Sequence, residues 1–140
     1  MDRIVKRGYA PGDETEFGVA AVPRLRRATQ NLYYLVNQGY PVKGASVFVG
    51  NHYQLSERQR TALVRAVSSQ QNIENRGDKE LSDLPEGGVV HIDGFNTIIT
   101  LEVALSGSLL LKCMDNTVRD LAALRGTYRP IDKSSQAIMM

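Results

Sequence analysis

A short apolar run, Val89-Val90-His91-Ile92, leads straight into the turn Asp93-Gly94-Phe95-Asn96, and behind it lies a stretch apolar on nearly every side: Ile98, Ile99, Leu101, Val103, Leu105. An uninterrupted apolar run of this length reads as a buried strand at the centre of a parallel sheet. A helix apolar all round must be covered on more than one side. Asn96 supplies its cap and Gly107 its stop, and Leu109 to Met114 is a second apolar run of strand length. Strand, helix and strand in this spacing form a βαβ unit with parallel strands and a right-handed crossover. Two such strands cannot cover both of their own faces. The reading therefore requires further cover: the N-terminal helices, a partner chain or second copy of this chain, or strands beyond Met140.

Upstream, residues 1–20 are rich in Gly, Asp and Glu with no apolar period, and read as a mobile tail. From Val22 the spacing Leu25, Ala28, Leu32, Leu35, Val36 is helical, with Gly39 and Pro41 as stop signals. Arg24, Arg26 and Arg27 crowd its first turns, where positive charge opposes the helix dipole, which suits a partner better than the helix. Residues 45–55 fit either a short strand or a short helix closed by glycine. Ser56 and Gln59 then form a capping box, and Gln59, Ala62, Leu63, Ala66 and Val67 make one helical stripe, so a second helix runs from Ser56 to Ser69. Residues 21–69 are thus a helical module, 70–88 a polar linker, and 89–140 an α/β unit. That unit continues through a short helix or turn at 118–124, a break at Gly126 to Pro130, and the start of a helix at Ser134.

Composition narrows the setting. No stretch approaches the ~20 apolar residues of a membrane span, so no membrane is expected. The first residues carry charge without a following apolar run, so no secretory signal is read there. One cysteine, Cys113, agrees with a reducing compartment, and a cytoplasmic location is expected. A net charge of +2 is too small to argue for nucleic acid by itself.

Parallel strands deliver the residues at their carboxyl ends to one edge of the sheet, where ligands bind. That edge would gather Asp93 and Asp115, with Asn96 and Asp120 close by. Clustered carboxylates of this kind hold Mg²⁺ or Mn²⁺. The competing role for Asp93 is a turn and helix cap. Glu102, the one charge in an apolar helix, needs either an arginine partner such as Arg119 or Arg125, or a cleft to face. His91 reads as a core histidine two residues before Asp93. Cys113 reads as core, and His52 receives no role.

Two stretches resemble known families. Val90 to Glu102, with Asp115, Val118 to Leu121 and Gly126 to Arg129, resembles an uncharacterised archaeal and bacterial domain of unknown function, number 434. Gly39-Tyr40-Pro41, Val49-Gly50-Asn51 and Leu55 to Arg60 resemble its helical N-terminal part, so the likeness covers residues 22–138. The Asp-Gly-Phe-Asn strand end also resembles the opening of PIN-like and NYN-like nuclease domains. That second resemblance implies an α/β fold in which the helical module precedes an incomplete PIN-like, Rossmann-like βαβ parallel-sheet unit, the chain being C-terminally truncated against such domains. It further implies a metal-dependent ribonuclease, or its remnant. Asp93, Asp115 and Asp120 would be catalytic; Asp93, Asn96, Asp115 and Asp120 would hold Mg or Mn; and Arg24, Arg27, Arg58 and Arg119 would meet RNA. The alternative from another class is a noncatalytic RNA-binding or protein-interaction module, in which the same acids are caps and ion-pair residues.

Overall fold

The computed structural model describes residues 4–124 and 126–140, arranged as two units, each assembled from separate stretches of chain. One unit comprises Pro11–Glu80 and Leu111–Arg119; the other comprises Met1–Ala10, Leu81–Leu110 and Asp120–Met140.

The first of these, the helical unit, contains α1 (Asp13–Glu16), α2 (Val22–Asn37), α3 (Val42–His52), α4 (Glu57–Ala66) and α5 (Gln70–Gly77). The apolar spacing expected from Val22 onward does form α2, which buries Ala28 and Leu32. Around them Ala45, Val49, Leu55, Leu63 and Val67 close a continuous core. The ambiguous segment at 45–55 resolves as α3, because burying Ala45 and Val49 against α2 needs the helical four-residue spacing. The capping box of α4 is present: Gln59 N–H donates to Ser56 Oγ at 3.1 Å and Ser56 N–H donates to Gln59 Oε1 at 3.1 Å.

Two boundaries move. The stretch read as a mobile tail holds α1, whose Asp13 is buried and paired with Arg58. The stretch read as a linker opens with α5, capped by Ser69 Oγ, which accepts from the Asn72 N–H. Polar composition identified exposure in α5 correctly but not conformation, since capping and i,i+4 side-chain pairs such as Gln70–Glu74 hold a polar helix together.

The second unit is built on α6 (Gly94–Leu105) and α7 (Ser134–Ile138), which pack together. Ile99, Glu102 and Val103 are buried along α6. The N-terminal segment crosses α6 so closely at Gly8 (φ +74°) that a Cβ there would lie 2.9 Å from the Val103 side chain, so this position needs glycine for both conformation and space.

The expected parallel sheet is not what forms. Val89 to Ile92 is not a strand, and Val89, Val90 and Ile92 are 81%, 55% and 69% exposed. The two strands among the described residues are β1 (Leu110–Lys112) and β2 (Val118–Asp120), paired as an antiparallel hairpin. Only five residues, Cys113 to Thr117, join them, far fewer than a parallel crossover requires. Asn116 takes φ +62°, the left-handed conformation that asparagine tolerates in tight turns, and its N–H donates to the Cys113 carbonyl at 3.1 Å. The 118–124 segment, read as a short helix or turn, thus begins as β2. No helix among the described residues is long and apolar enough to cross a membrane.

Candidate functional site: a cleft around Asp115

The tip of the hairpin belongs to the helical unit and is tied to it by the Met114 N–H, which donates to the Ala66 carbonyl at 2.9 Å. This bond holds Asp115 next to α5. Asp115 is 7% exposed. Its Oδ1 accepts from the Thr117 N–H at 3.1 Å and from Thr117 Oγ1 at 2.6 Å, closing the turn on itself. Its Oδ2 faces two guanidiniums, Arg76 Nε at 3.2 Å and Arg119 Nη2 at 3.4 Å. Burial pushes the Asp115 carboxyl up, but the Thr117 hydrogen bonds and the charges of Arg76 and Arg119 outweigh it and hold the group below its ordinary value.

Both arginines remain half exposed, at 52% and 45% of their side chains. They stand on the wall of a polar cleft of about 800 Å³, to which Asn72, Asn75, Lys79, Glu80 and Asn116 also contribute, so three cations face two carboxylates there. Arg119 also donates through Nε to Thr117 Oγ1 at 3.2 Å, and both guanidiniums keep solvated N–H donors beyond these bonds. Such a fork suits phosphate or carboxylate oxygens.

The other sequence-assigned acids have protein partners within their own unit. Asp93 caps α6: Asn96 Nδ2 donates to its Oδ2 at 2.6 Å and the Asn96 N–H reaches Oδ1 at 3.5 Å. The capping role weighed for Asp93 is therefore the observed one, and Asn96 orients it through its amide nitrogen. Asp120 accepts from Thr100 Oγ1 at 2.7 Å and from the Ala122 N–H at 2.9 Å. Asp93 and Asp120 lie in one unit and Asp115 in the other. Among the described residues no group of three or more His, Cys, Asp or Glu side chains is gathered as a metal site requires.

The arginines divide. Arg24 and Arg27 are exposed on α2. Arg119 faces the cleft. Arg58 is engaged elsewhere, its Nε and Nη2 donating to the two Asp13 oxygens at 2.5 and 2.8 Å; the Asp13 hydrogen bond raises its pKa further, against the opposing effect of burial. Arg58 is thus a structural ion-pair residue rather than a free cation for RNA.

Glu102 is fully buried and does have an arginine partner, but not the expected one. Arg7 Nε donates to Oε2 at 2.8 Å, while the Tyr128 hydroxyl donates to Oε1 at 2.7 Å and the Ser134 hydroxyl to the same oxygen. Arg7 also donates to the Arg129 carbonyl at 2.5 Å, and its N–H to Ser106 Oγ at 3.1 Å. Burial pushes the Glu102 carboxyl up, yet these hydrogen bonds and the Arg7 charge bring it below its ordinary value. Arg119 pairs with Asp115 instead, and Arg125 lies outside the described residues. His91 is exposed rather than core, because its segment is not a strand. Cys113 is buried as expected, and burial pushes its thiol pKa up.

Sequence reasoning missed Arg76 and Lys79, hidden in a stretch read as linker. The available signal was Ser69 as a helix cap, which would have placed Asn72, Asn75 and Arg76 at the three- and four-residue intervals of one helical face, with Lys79 in the turn that follows.

Comparison with known proteins follows the division of the chain. Residues 24–79 match the family described as Protein of unknown function (DUF434), and residues 81–140 match a Domain of unknown function (DUF5616). The boundary between the matches falls where the helical unit's main segment ends, at Glu80. An uncharacterised protein of Methanocaldococcus jannaschii is 36% identical over 118 residues, which is 83% of this chain and 56% of that protein. The chain therefore spans about half the length of the curated relative it matches. No solved structure matches.

Proposed function

We propose that the chain is a noncatalytic RNA-binding module whose cleft around Asp115 grips the phosphate backbone. The observation that carries this reading is the pair of half-exposed guanidiniums, Arg76 and Arg119, held by one buried carboxylate at the wall of a polar cleft that also contains Lys79. Arginine forks and lysine point charges are the groups that neutralise phosphates, and the asparagine amides beside them add sequence-independent hydrogen bonds. Binding is favoured over phosphodiester hydrolysis because the metal reading was built on parallel strands delivering Asp93 and Asp115 to one edge. The strands of the hairpin run antiparallel, and each aspartate has its own protein partners.

Fluorescence anisotropy with labelled single-stranded RNA tests the proposal. Three cationic contacts give a salt slope near −2, so affinity falls about 20-fold between about 50 and 200 mM salt. Absence of saturable binding at the lower salt, or binding indifferent to salt, would overturn the reading.

A further inference from the structure

The helical unit has a second concavity, of about 200 Å³, with a different chemistry. Its walls come from α2 and α3: Tyr34, Phe48, His52, Tyr53 and Asn31. Tyr34 and Phe48 are 63% and 69% exposed, unusual for large rings flanking a closed core. His52 and Tyr53 meet edge to face with ring centroids 4.8 Å apart, and Asn31 Nδ2 donates to the Tyr53 hydroxyl at 2.8 Å, which fixes one wall.

The charge around this pocket selects its occupant. Neither α2 nor α3 contains an acidic residue, whereas together they carry Arg24, Arg26, Arg27 and Lys43. Arg24, Arg27, Asn31 and Tyr34 recur at intervals of three and four, so two exposed arginines share the helix face that leads to the pocket. An uncharged peptide side chain would fill the aromatic space but has no use for the cations, and a free anion would use the cations but leave the rings idle. A nucleotide satisfies both, because its base offers a π-face and polar edges while its phosphate meets the arginines.

We infer that the pocket between α2 and α3 binds one unpaired nucleobase, stacked against Tyr34 or Phe48 with its edge toward Asn31 and His52, while Arg24 and Arg27 meet the adjoining phosphates. The inference rests on the RNA-binding reading above and adds a base-recognition point remote in chemistry from the phosphate cleft.

The probe is adenosine monophosphate, with ribose 5-phosphate as the base-free control, followed on the full chain by NMR and by tyrosine fluorescence, the chain having six tyrosines and no tryptophan. Adenosine monophosphate is expected to shift the signals of Tyr34, Phe48 and His52 saturably, and ribose 5-phosphate to leave them in place. The double variant Tyr34→Ala, Phe48→Ala, both rings being exposed, is expected to retain its circular dichroism spectrum and weaken both the nucleotide and single-stranded RNA at least about fivefold. Equal shifts from the two probes, or a double variant that binds both ligands as tightly as the parent, would overturn the inference. RNA binding that survives intact in the double variant would sink the base pocket and leave the phosphate cleft standing. Nucleotide binding at the pocket without any RNA binding would sink the RNA reading and leave the pocket standing.

Discussion

Each unit of the molecule buries a carboxylate against arginine, and the two do it to opposite effect. Glu102 is enclosed: Arg7, Tyr128 and Ser134 occupy its oxygens, and Arg7 spends further donors on the Arg129 carbonyl and Ser106. Asp115 is enclosed on one side only, with Thr117 closing the turn and two half-exposed guanidiniums open to the cleft. A carboxylate whose arginine is itself buried against protein partners ties chain segments together. One whose arginines keep exposed donors positions them for a ligand. The surrounding packing differs as well: the helical unit has a continuous apolar core, whereas the other unit buries Ile99, Val103, Leu121 and Ala137 together with a charged network between α6 and the N-terminal segment.

The contrast predicts a graded series. Glu102→Ala leaves the Arg7 guanidinium buried without its carboxylate and is expected to cost about 3–5 kcal/mol in urea-monitored unfolding; a loss under about 1 kcal/mol would show that the network is not the tie described. Asp115→Asn keeps the acceptor for Thr117 but removes the charge that two solvated arginines share, and about 1–2 kcal/mol is expected in the same assay. If the second loss matches the first, the distinction between closed and open carboxylates fails.

Acid should act on both carboxylates in the same direction. Each has a folded-state pKa below its unfolded value, so the unfolded chain binds more protons as the pH drops. The stabilisation is present in full above the unfolded values of ~4.3 for Glu and ~3.9 for Asp, and is lost as pH falls through the lower folded values. Thermal melts below about pH 4 should drop less steeply in Glu102→Ala than in the parent protein, and parallel curves would remove Glu102 as a source of the acid sensitivity.

Smaller structural effects should accompany larger functional ones at the cleft. Arg76→Ala with Arg119→Ala leaves the Asp115 carboxylate to Thr117 alone and is expected to cost about 1–2 kcal/mol, less than Glu102→Ala, while flattening the salt slope of RNA binding by about 1.4. An unchanged slope would place the phosphate contacts elsewhere. Smallest of all is the response to Mn²⁺: labelled RNA incubated with the protein and Mn²⁺ should remain intact, and signals of Asp93, Asp115 and Asp120 should not broaden selectively. Cleavage that Asp93→Asn abolishes would restore the nuclease reading.

Local features were legible in the chain because their causes lie within a few residues of one another. The stripe from Leu25 to Val36, the Ser56 and Gln59 box, the start of α7 at Ser134 and the burial of Cys113 all follow from spacing or a neighbouring side chain, whereas α6 is capped by Asp93 and not by the Asn96 read as its cap. The candidate site was legible only in part: Asp115 was singled out for a metal edge and Arg119 for RNA, but not as partners in one arginine fork. The turn pair Asp115-Asn116 carried the hairpin signal, and the apolar runs on either side of α6 obscured it by imitating a βαβ unit.

What the sequence determined alone was the placement of α2, α4 and α6, the Ser56 capping box and the need for Glu102 to find a partner or a cleft. Tertiary structure decided which cation, joining residues 95 apart in Arg7 and Glu102. It also decided that Val89 to Ile92 stays outside any sheet and that Arg76 meets Asp115. The reason is physical: a helix satisfies its backbone hydrogen bonds from within, so its pattern is self-contained, whereas a strand or buried charge is completed by a group that local spacing cannot name.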